Sequence, residues 1–200
     1  MRRRLITGAV AVATIGTSVL LMPAANAAPA VHSGPVQVSG TRVTFDGLTE
    51  LVIQRILVGD DVAASKYFSG KPVEDPVREQ QIIDSVRASA VQLGIDPDST
   101  AAFFRAQIEA SKVVQRGLLS YWAAHPDKAP ASGPDLNVIR QKLDSLTTQL
   151  LAELVRVDDL RQSGLRCDIS LVVADATGAA RHHLDPLHRH ALRAASASTC

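Results

Sequence analysis

Arg55 and Lys66 stand 11 residues apart, and at about 100° per residue they return to within about 20° of one helix face. Leu51 and Val62 lie four residues before each of them on the same stripe, so both cations are expected to point partly inward. Asp75-Pro76 is followed at once by Arg78 and Glu79. Further on, Phe104, Ile108, Ser111 and Gln115 follow at steps of four, three and four, which sets a hydroxyl and an amide on an apolar helical seam. Arg140 sits between Leu136 and Leu143 in the same way. A lone Arg or Lys beside an apolar stripe usually snorkels, burying its stem and keeping its head in water. A Ser or Gln on such a seam is more often a satisfied core residue than a ligand. Four inward cations fit those ordinary roles poorly, because the stripes offer only Asp75 and Glu79 as counter-charges and burying unpaired charge is costly. An excess of cation invites a small dianion, gripped by planar Arg forks that match carboxylates.

The elements that must position these residues are helices. Leu48, Leu51, Val52, Ile56, Val62 and Ala63 recur at helical intervals from Leu48 to Phe68, with Gly70 and Pro72 as breakers. Asp75-Pro76 places an N-cap before a first-turn Pro, predicting a second helix to about Leu93, ended by Gly94. Asp96-Pro97 repeats that signal and opens a long helix to about Ala124, with Phe103, Phe104, Ile108, Leu118, Leu119 and Trp122 as its apolar positions. His125 to Pro134 reads as a loop. A fourth helix starts near Asp135 and carries Leu136, Ile139, Leu143, Leu146, Leu150, Leu154 and Val155. Shorter helices are expected over Asp168 to Ala180 and Leu184 to Ala195, the first weakened by Val172-Val173. No hairpin signal and no internal repeat occurs. The fold class expected is all-α, one domain over 45–200 of long helices packed antiparallel.

Composition narrows the function classes. Of the 200 residues 46% are hydrophobic and 20% charged, which is globular rather than disordered. Arg2, Arg3 and Arg4, the apolar run Leu5 to Met22 and Ala25-Asn26-Ala27 have the form of a signal peptide, with cleavage expected after Ala27; the competing possibility is an uncleaved anchor. Residues 28–44, with Pro29, Gly34, Pro35 and Gly40, read as an extended arm. Removing three Arg leaves 18 Lys and Arg against 20 Asp and Glu, so no nucleic-acid-binding surface is indicated, and no membrane partner after cleavage. The mature chain is then secreted or periplasmic, where Cys167 and Cys200 are expected to pair and tie the C-terminal part. His182, His183, His188 and His190 cluster without an ordered Cys or carboxylate pattern, so no metal site is expected.

The stretch Lys66-Tyr67-Phe68-Ser69-Gly70-Lys71-Pro72-Val73-Glu74-Asp75-Pro76-Val77-Arg78-Glu79 resembles a signature of the AroQ-class chorismate mutases, specifically the exported gamma type. Gln107-Ile108-Glu109-Ala110-Ser111-Lys112-Val113-Val114-Gln115 resembles a second signature, and Arg55, Arg140 and a terminal Cys pair accompany them over roughly 46–200. The resemblance implies a single-chain helical bundle that rearranges chorismate to prephenate with no cofactor. It implies that Arg55, Arg78 and Arg140 clamp two carboxylates, with Ser111 adding a hydroxyl, and that Lys66 and Gln115 donate to the ether oxygen. Asp75 and Glu79 would orient the ring hydroxyl. Some relatives carry Glu where Gln115 stands. A homodimer is compatible with the family type. The rivals are an exported helical protein that binds a small dicarboxylate without converting it, and a structural module with no small-ligand site.

Overall fold

The computed structural model describes residues 42–200; the signal segment and nearly all of the expected arm lie outside the described residues. Among the described residues there are seven α-helices, one 3-10 turn and no strand. They are α1 (Asp46–Ser69), α2 (Pro76–Leu93), α3 (Pro97–Ala124), α4 (Leu136–Arg156), α5 (Asp158–Arg161), α6 (Leu165–Arg181) and α7 (Pro186–Ser196).

Local chemistry sets most of these boundaries. Asp75 caps α2 by accepting from the Arg78 N–H at 3.1 Å, and Asp96 caps α3 by accepting from the Ser99 N–H at 2.6 Å. Asp135 accepts from the Asn137 N–H at 2.7 Å and Asp185 from the His188 N–H at 2.8 Å. These side chains satisfy donors that the first helical turn leaves unpaired. At the other end of α1, Gly70 adopts φ 64° and its N–H bonds the Lys66 carbonyl at 2.8 Å, a left-handed cap that glycine adopts at little cost.

Two expectations need correction. The His125–Pro134 loop contains a 3-10 turn, Pro126–Lys128. The one-turn helix α5 carries Asp158 and Asp159 and is too short to show any apolar period. α6 starts at Leu165, three residues before the Asp168 expected, and the Val172-Val173 pair lies within it. That pair is exposed at 67% and 59%, so its β-branching crowds no packed neighbour and the weak helix propensity is not decisive.

α1 is central, packing against α3, α4, α6 and α7. Leu48, Ile53 and Ile56 meet Phe103, Phe104 and Val114 of α3, Leu150 and Leu154 of α4, and Leu192 of α7 in one core. Close approach is bought by glycine: a Cβ on Gly178 would stand 2.7 Å from Ile53 Cδ1, and one on Gly117 2.6 Å from Leu187 Cδ1. α2 rests on α3 but barely touches α4. The gap between α2 and α4, floored by α1, is the cleft described below.

The C-terminal helices are locked onto this frame. The Cys167–Cys200 disulfide joins α6 to the chain end, with Cα atoms 5.9 Å apart, and closes a loop whose constraint is worth roughly 3–4 kcal/mol in the chain-entropy view. Arg161 Nε donates to the Thr199 carbonyl at 2.8 Å, and Gln107 Nε2 donates to the Ala195 carbonyl at 3.0 Å. Two of the clustered histidines reach carboxylates of α1: His182 Nε2 lies 2.8 Å from Glu50, and buried His188 bridges Asp60 and Asp185 through its two ring nitrogens, each at 2.9 Å.

Those bonds to Asp60, and then Asp185, outweigh burial and push the His188 pKa from 6.5 up to about 9. A folded-state pKa above the unfolded one stabilises fully below pH 6.5, and the contribution is lost as pH rises through 9. His188→Gln is therefore expected to lower the Tm by several degrees at pH 6 and by little at pH 10. Thermal melts of both proteins across that range check it; parallel curves would remove His188 from the account.

Candidate active site

All eight residues marked in the sequence line two adjoining cavities in the α2–α4 cleft. The larger, about 540 Å³, is bordered by Arg55, Lys66, Asp75, Arg78 and Arg140. The smaller, about 130 Å³, shares Arg55, Asp75 and Arg78 with it and adds Glu79, Ser111 and Gln115. Four helices and one reversal thus deliver the set: α1 supplies Arg55 and Lys66, α3 Ser111 and Gln115, α4 Arg140, and the start of α2 the rest.

Their burial differs from the expectation of four inward cations. Arg55 alone among them is buried, at 6% exposure. Lys66 is half-buried, while Arg78 and Arg140 are exposed at the mouth. The physical reason is the open gap: α2 and α4 diverge, so cations on their facing sides keep water.

Arg55 is the charge under most stress. Its Nη1 donates to the Leu143 carbonyl at 3.3 Å and to Thr147 Oγ1 at 3.2 Å, both neutral acceptors, and its buried Nε has no partner. Burial pulls its pKa from the ordinary arginine range down to about 10, with Asp144 offsetting only part of the loss. That corresponds to a cost on the order of 3 kcal/mol for keeping the cation charged at neutral pH. Lys66 is also held below its ordinary value, by burial first, against the pull of Asp75, Glu74 and Glu79. Its Nζ donates to the Val73 carbonyl at 2.7 Å, closing the α1–α2 reversal. Gln115 is buried; its Nε2 donates to Ser111 Oγ at 3.0 Å, and its Oε1 is unpaired.

Sequence reasoning missed three participants. Asp144 of α4 lies 3.8 Å from Arg78, and Thr147 holds Arg55. Lys112 of α3 is buried at 8% exposure and binds Glu79 at 2.8 Å and Glu109 at 2.7 Å. Thr147 follows Leu143 by four residues, a period that could have flagged it. Lys112 and Glu109 are three apart, the spacing of an ordinary helix-surface pair, so spacing alone carries no sign of burial.

The structure is thus an all-α frame with guanidinium and ammonium groups around one cleft and a buried amide whose oxygen is unpaired, an arrangement suited to a small anion. The description "chorismate mutase type II" belongs to the family model that matches residues 46–116. A secreted chorismate mutase of Mycolicibacterium smegmatis is 39% identical over 154 residues, 76% of this chain and 84% of the relative. One of Mycobacterium tuberculosis is 32% identical over 153 residues, 76% of each chain. The crystal structure of a chorismate mutase from Burkholderia phymatum superposes with a TM-score of 0.74 at 35% identity, covering 78% of this chain and 95% of that one. The chain belongs to the type II chorismate mutase family.

A buried cation short of counter-charge is often replaced by an apolar side chain without loss of stability. Arg55→Met is therefore expected to leave the Tm unchanged or raise it by a few degrees, while abolishing the Tm increase that a bound dicarboxylate gives the parent. A Tm fall of more than about 5 °C would show that the neutral acceptors fully satisfy the guanidinium.

Proposed function

We propose that this cleft rearranges chorismate to prephenate and that the eight residues divide the work. The single observation that carries the proposal is the meeting of Arg55, Lys66, Arg78 and Arg140 around one cavity, on a chain whose reported relatives are all named as this mutase. Those names favour conversion over binding alone.

In this reaction the ether C–O bond of the substrate breaks while a C–C bond forms at the far end of the same six-atom array. No nucleophile or proton transfer is required, and the residues act by shape and field. Chorismate must first fold so that its reacting carbons approach. Arg55, Arg78 and Arg140, with the Ser111 hydroxyl, hold the two carboxylates and select that conformer, which converts binding into orientation. The stressed Arg55 guanidinium is relieved when a carboxylate arrives, so part of the binding energy comes from a cation that the empty cleft leaves under-compensated.

Lys66 and Gln115 act on the ether oxygen. Negative charge grows there as the bond breaks, so the attraction to the ammonium and the amide N–H strengthens in the transition state and lowers the barrier beyond simple binding. An acceleration of about a millionfold requires roughly 8 kcal/mol, divided among several such contacts and conformational restriction. Asp75 and Glu79 receive the ring hydroxyl. Because Gln115 is a neutral amide, it donates at every ordinary pH.

The relatives named as secreted, from two mycobacterial species, support an exported protein acting after removal of 1–27. The proposal extends to a homodimer in which each chain carries a complete site, without a nucleic-acid or membrane partner. No helix among the described residues is long and apolar enough to cross a membrane.

The loss of chorismate absorbance should be followed with the purified mature chain, Lys66→Ala and Arg78→Ala. The parent should turn over, Lys66→Ala should lose at least about a thousandfold in kcat/KM, about 4 kcal/mol, and Arg78→Ala should lose at least tenfold. Undiminished turnover in both variants would overturn the assignment. Gln115→Glu makes the donor titratable: its kcat should fall as pH rises from 5 to 8, where the parent profile stays flat. A flat profile in the variant would remove Gln115 from the ether oxygen.

A further inference from the structure

We infer that Lys112 is a positioning residue for this reaction: its ammonium fixes the Glu79 carboxylate and thereby the first turn of α2, on which the substrate-facing groups Asp75 and Arg78 also ride. The inference rests on the site assignment proposed above and goes beyond it, because Lys112 belongs to neither signature role.

The geometry is a clamp with two lysine jaws. Glu79 Oε2 is held by Lys112 Nζ at 2.8 Å, and its other oxygen, Oε1, accepts from the Asp75 N–H at 3.1 Å. The Asp75 carbonyl in turn accepts from the Glu79 N–H at 2.8 Å, and the Asp75 carboxylate accepts from the Arg78 N–H at 3.1 Å. The segment is therefore wound on itself and tied from outside at several points, among them Arg116 of α3 on Glu74, with Nε–Oε1 at 3.2 Å, and Asp144 of α4 on Arg78 at 3.8 Å. Lys66 of α1 ties the Val73 carbonyl at 2.7 Å; Lys112 of α3 ties Glu79. Asp75 and Arg78 are exposed, so packing alone does not hold them.

Lys112 is equipped for that task. It is buried at 8% exposure, where a long side chain has little freedom left. Burial pulls its pKa down, yet the hydrogen bonds it donates to Glu109 and Glu79 more than compensate, leaving it above the ordinary lysine value. It thus stays charged throughout the working range. Its second partner, Glu109, sits one turn back on the same helix and steadies the ammonium without lining either cavity of the cleft. A carboxylate held from both sides offers the ring hydroxyl an acceptor of fixed direction; one released on the Lys112 side can swing toward water, and small misplacements of orienting groups are expensive in rate.

The experiment is a double-mutant cycle on the intact mature chain with chorismate as substrate, reading kcat and KM separately. Lys112→Met should lower kcat about 10-fold with KM changed less than about threefold, because the carboxylate clamps Arg55 and Arg140 are untouched. Lys112→Arg, which keeps the charge, should recover most of the rate, and Glu109→Gln should stay within about twofold of the parent. In a Glu79→Gln background, Lys112→Met should cost less than a further twofold, since the group it acts through has already lost its charge. Equal losses in both backgrounds, full activity in Lys112→Met, or a Glu109→Gln defect as large as the Lys112→Met one would overturn the inference; circular dichroism melts of each variant separate these outcomes from unfolding. An inactive parent, or an undiminished Glu79→Gln, would bring down the underlying site assignment instead, and is seen before Lys112 is altered.

Discussion

The fold depends on tolerating a buried guanidinium. Arg55 lies on the central helix, in contact with neutral oxygens only, and burial holds it well below the ordinary arginine range. Such a charge persists in a core only where some gain offsets its desolvation. Here α4 provides two acceptors and a distant carboxylate, Asp144, which is enough to keep the helix pair together but too little to neutralise the cation. A cleft floor of that kind is preset for an anion: the ligand completes a coordination shell that the protein leaves unfinished.

The rest of the cleft is arranged so that this floor can be reached. α2 leans on α3 and diverges from α4, so Arg78 and Arg140 stand in water at the rim while Arg55 stays dry below. In the proposed reaction this gradient from hydrated to desolvated cations would draw the dianion inward, since its second carboxylate meets progressively less competition from solvent. On the inner wall, Gln115 and Ser111 satisfy each other only in part. The unpaired oxygen of Gln115 marks polar capacity held in reserve within an otherwise apolar seam.

Rigidity comes from outside the cleft. The disulfide at the chain end, the Arg161 bond to Thr199 and the His188 bridge use residues that line neither cavity of the cleft. With the Gln107 bond to Ala195, they tie the C-terminal helices together and onto α1 and α3, which carry half of the eight residues, so the open face needs no bracing of its own. The α1–α2 reversal is the exception. It faces the cleft directly, and its shape rests on polar ties from Lys66, Lys112 and Arg116 rather than on buried hydrocarbon.

Much of this was legible in the chain itself, for local reasons. Asp-Pro pairs at 75–76 and 96–97 cap and start α2 and α3 where expected, because an N-cap bond and a fixed proline φ involve only neighbours three residues apart. The eight residues that line the cleft were marked through helical periodicity and the two family-like signatures. What escaped was anything set by contacts across the fold. α5 has one turn and no period; the burial of Lys112 shows no local sign because its second carboxylate comes from another helix; the exposure of Arg78 and Arg140 follows from how far α2 splays from α4. The sequence by itself determined which helices form and which faces carry charge, since those are properties of short segments. Only the tertiary structure decided which of those charges lose their water, because desolvation is a property of the space between helices and no single segment contains it.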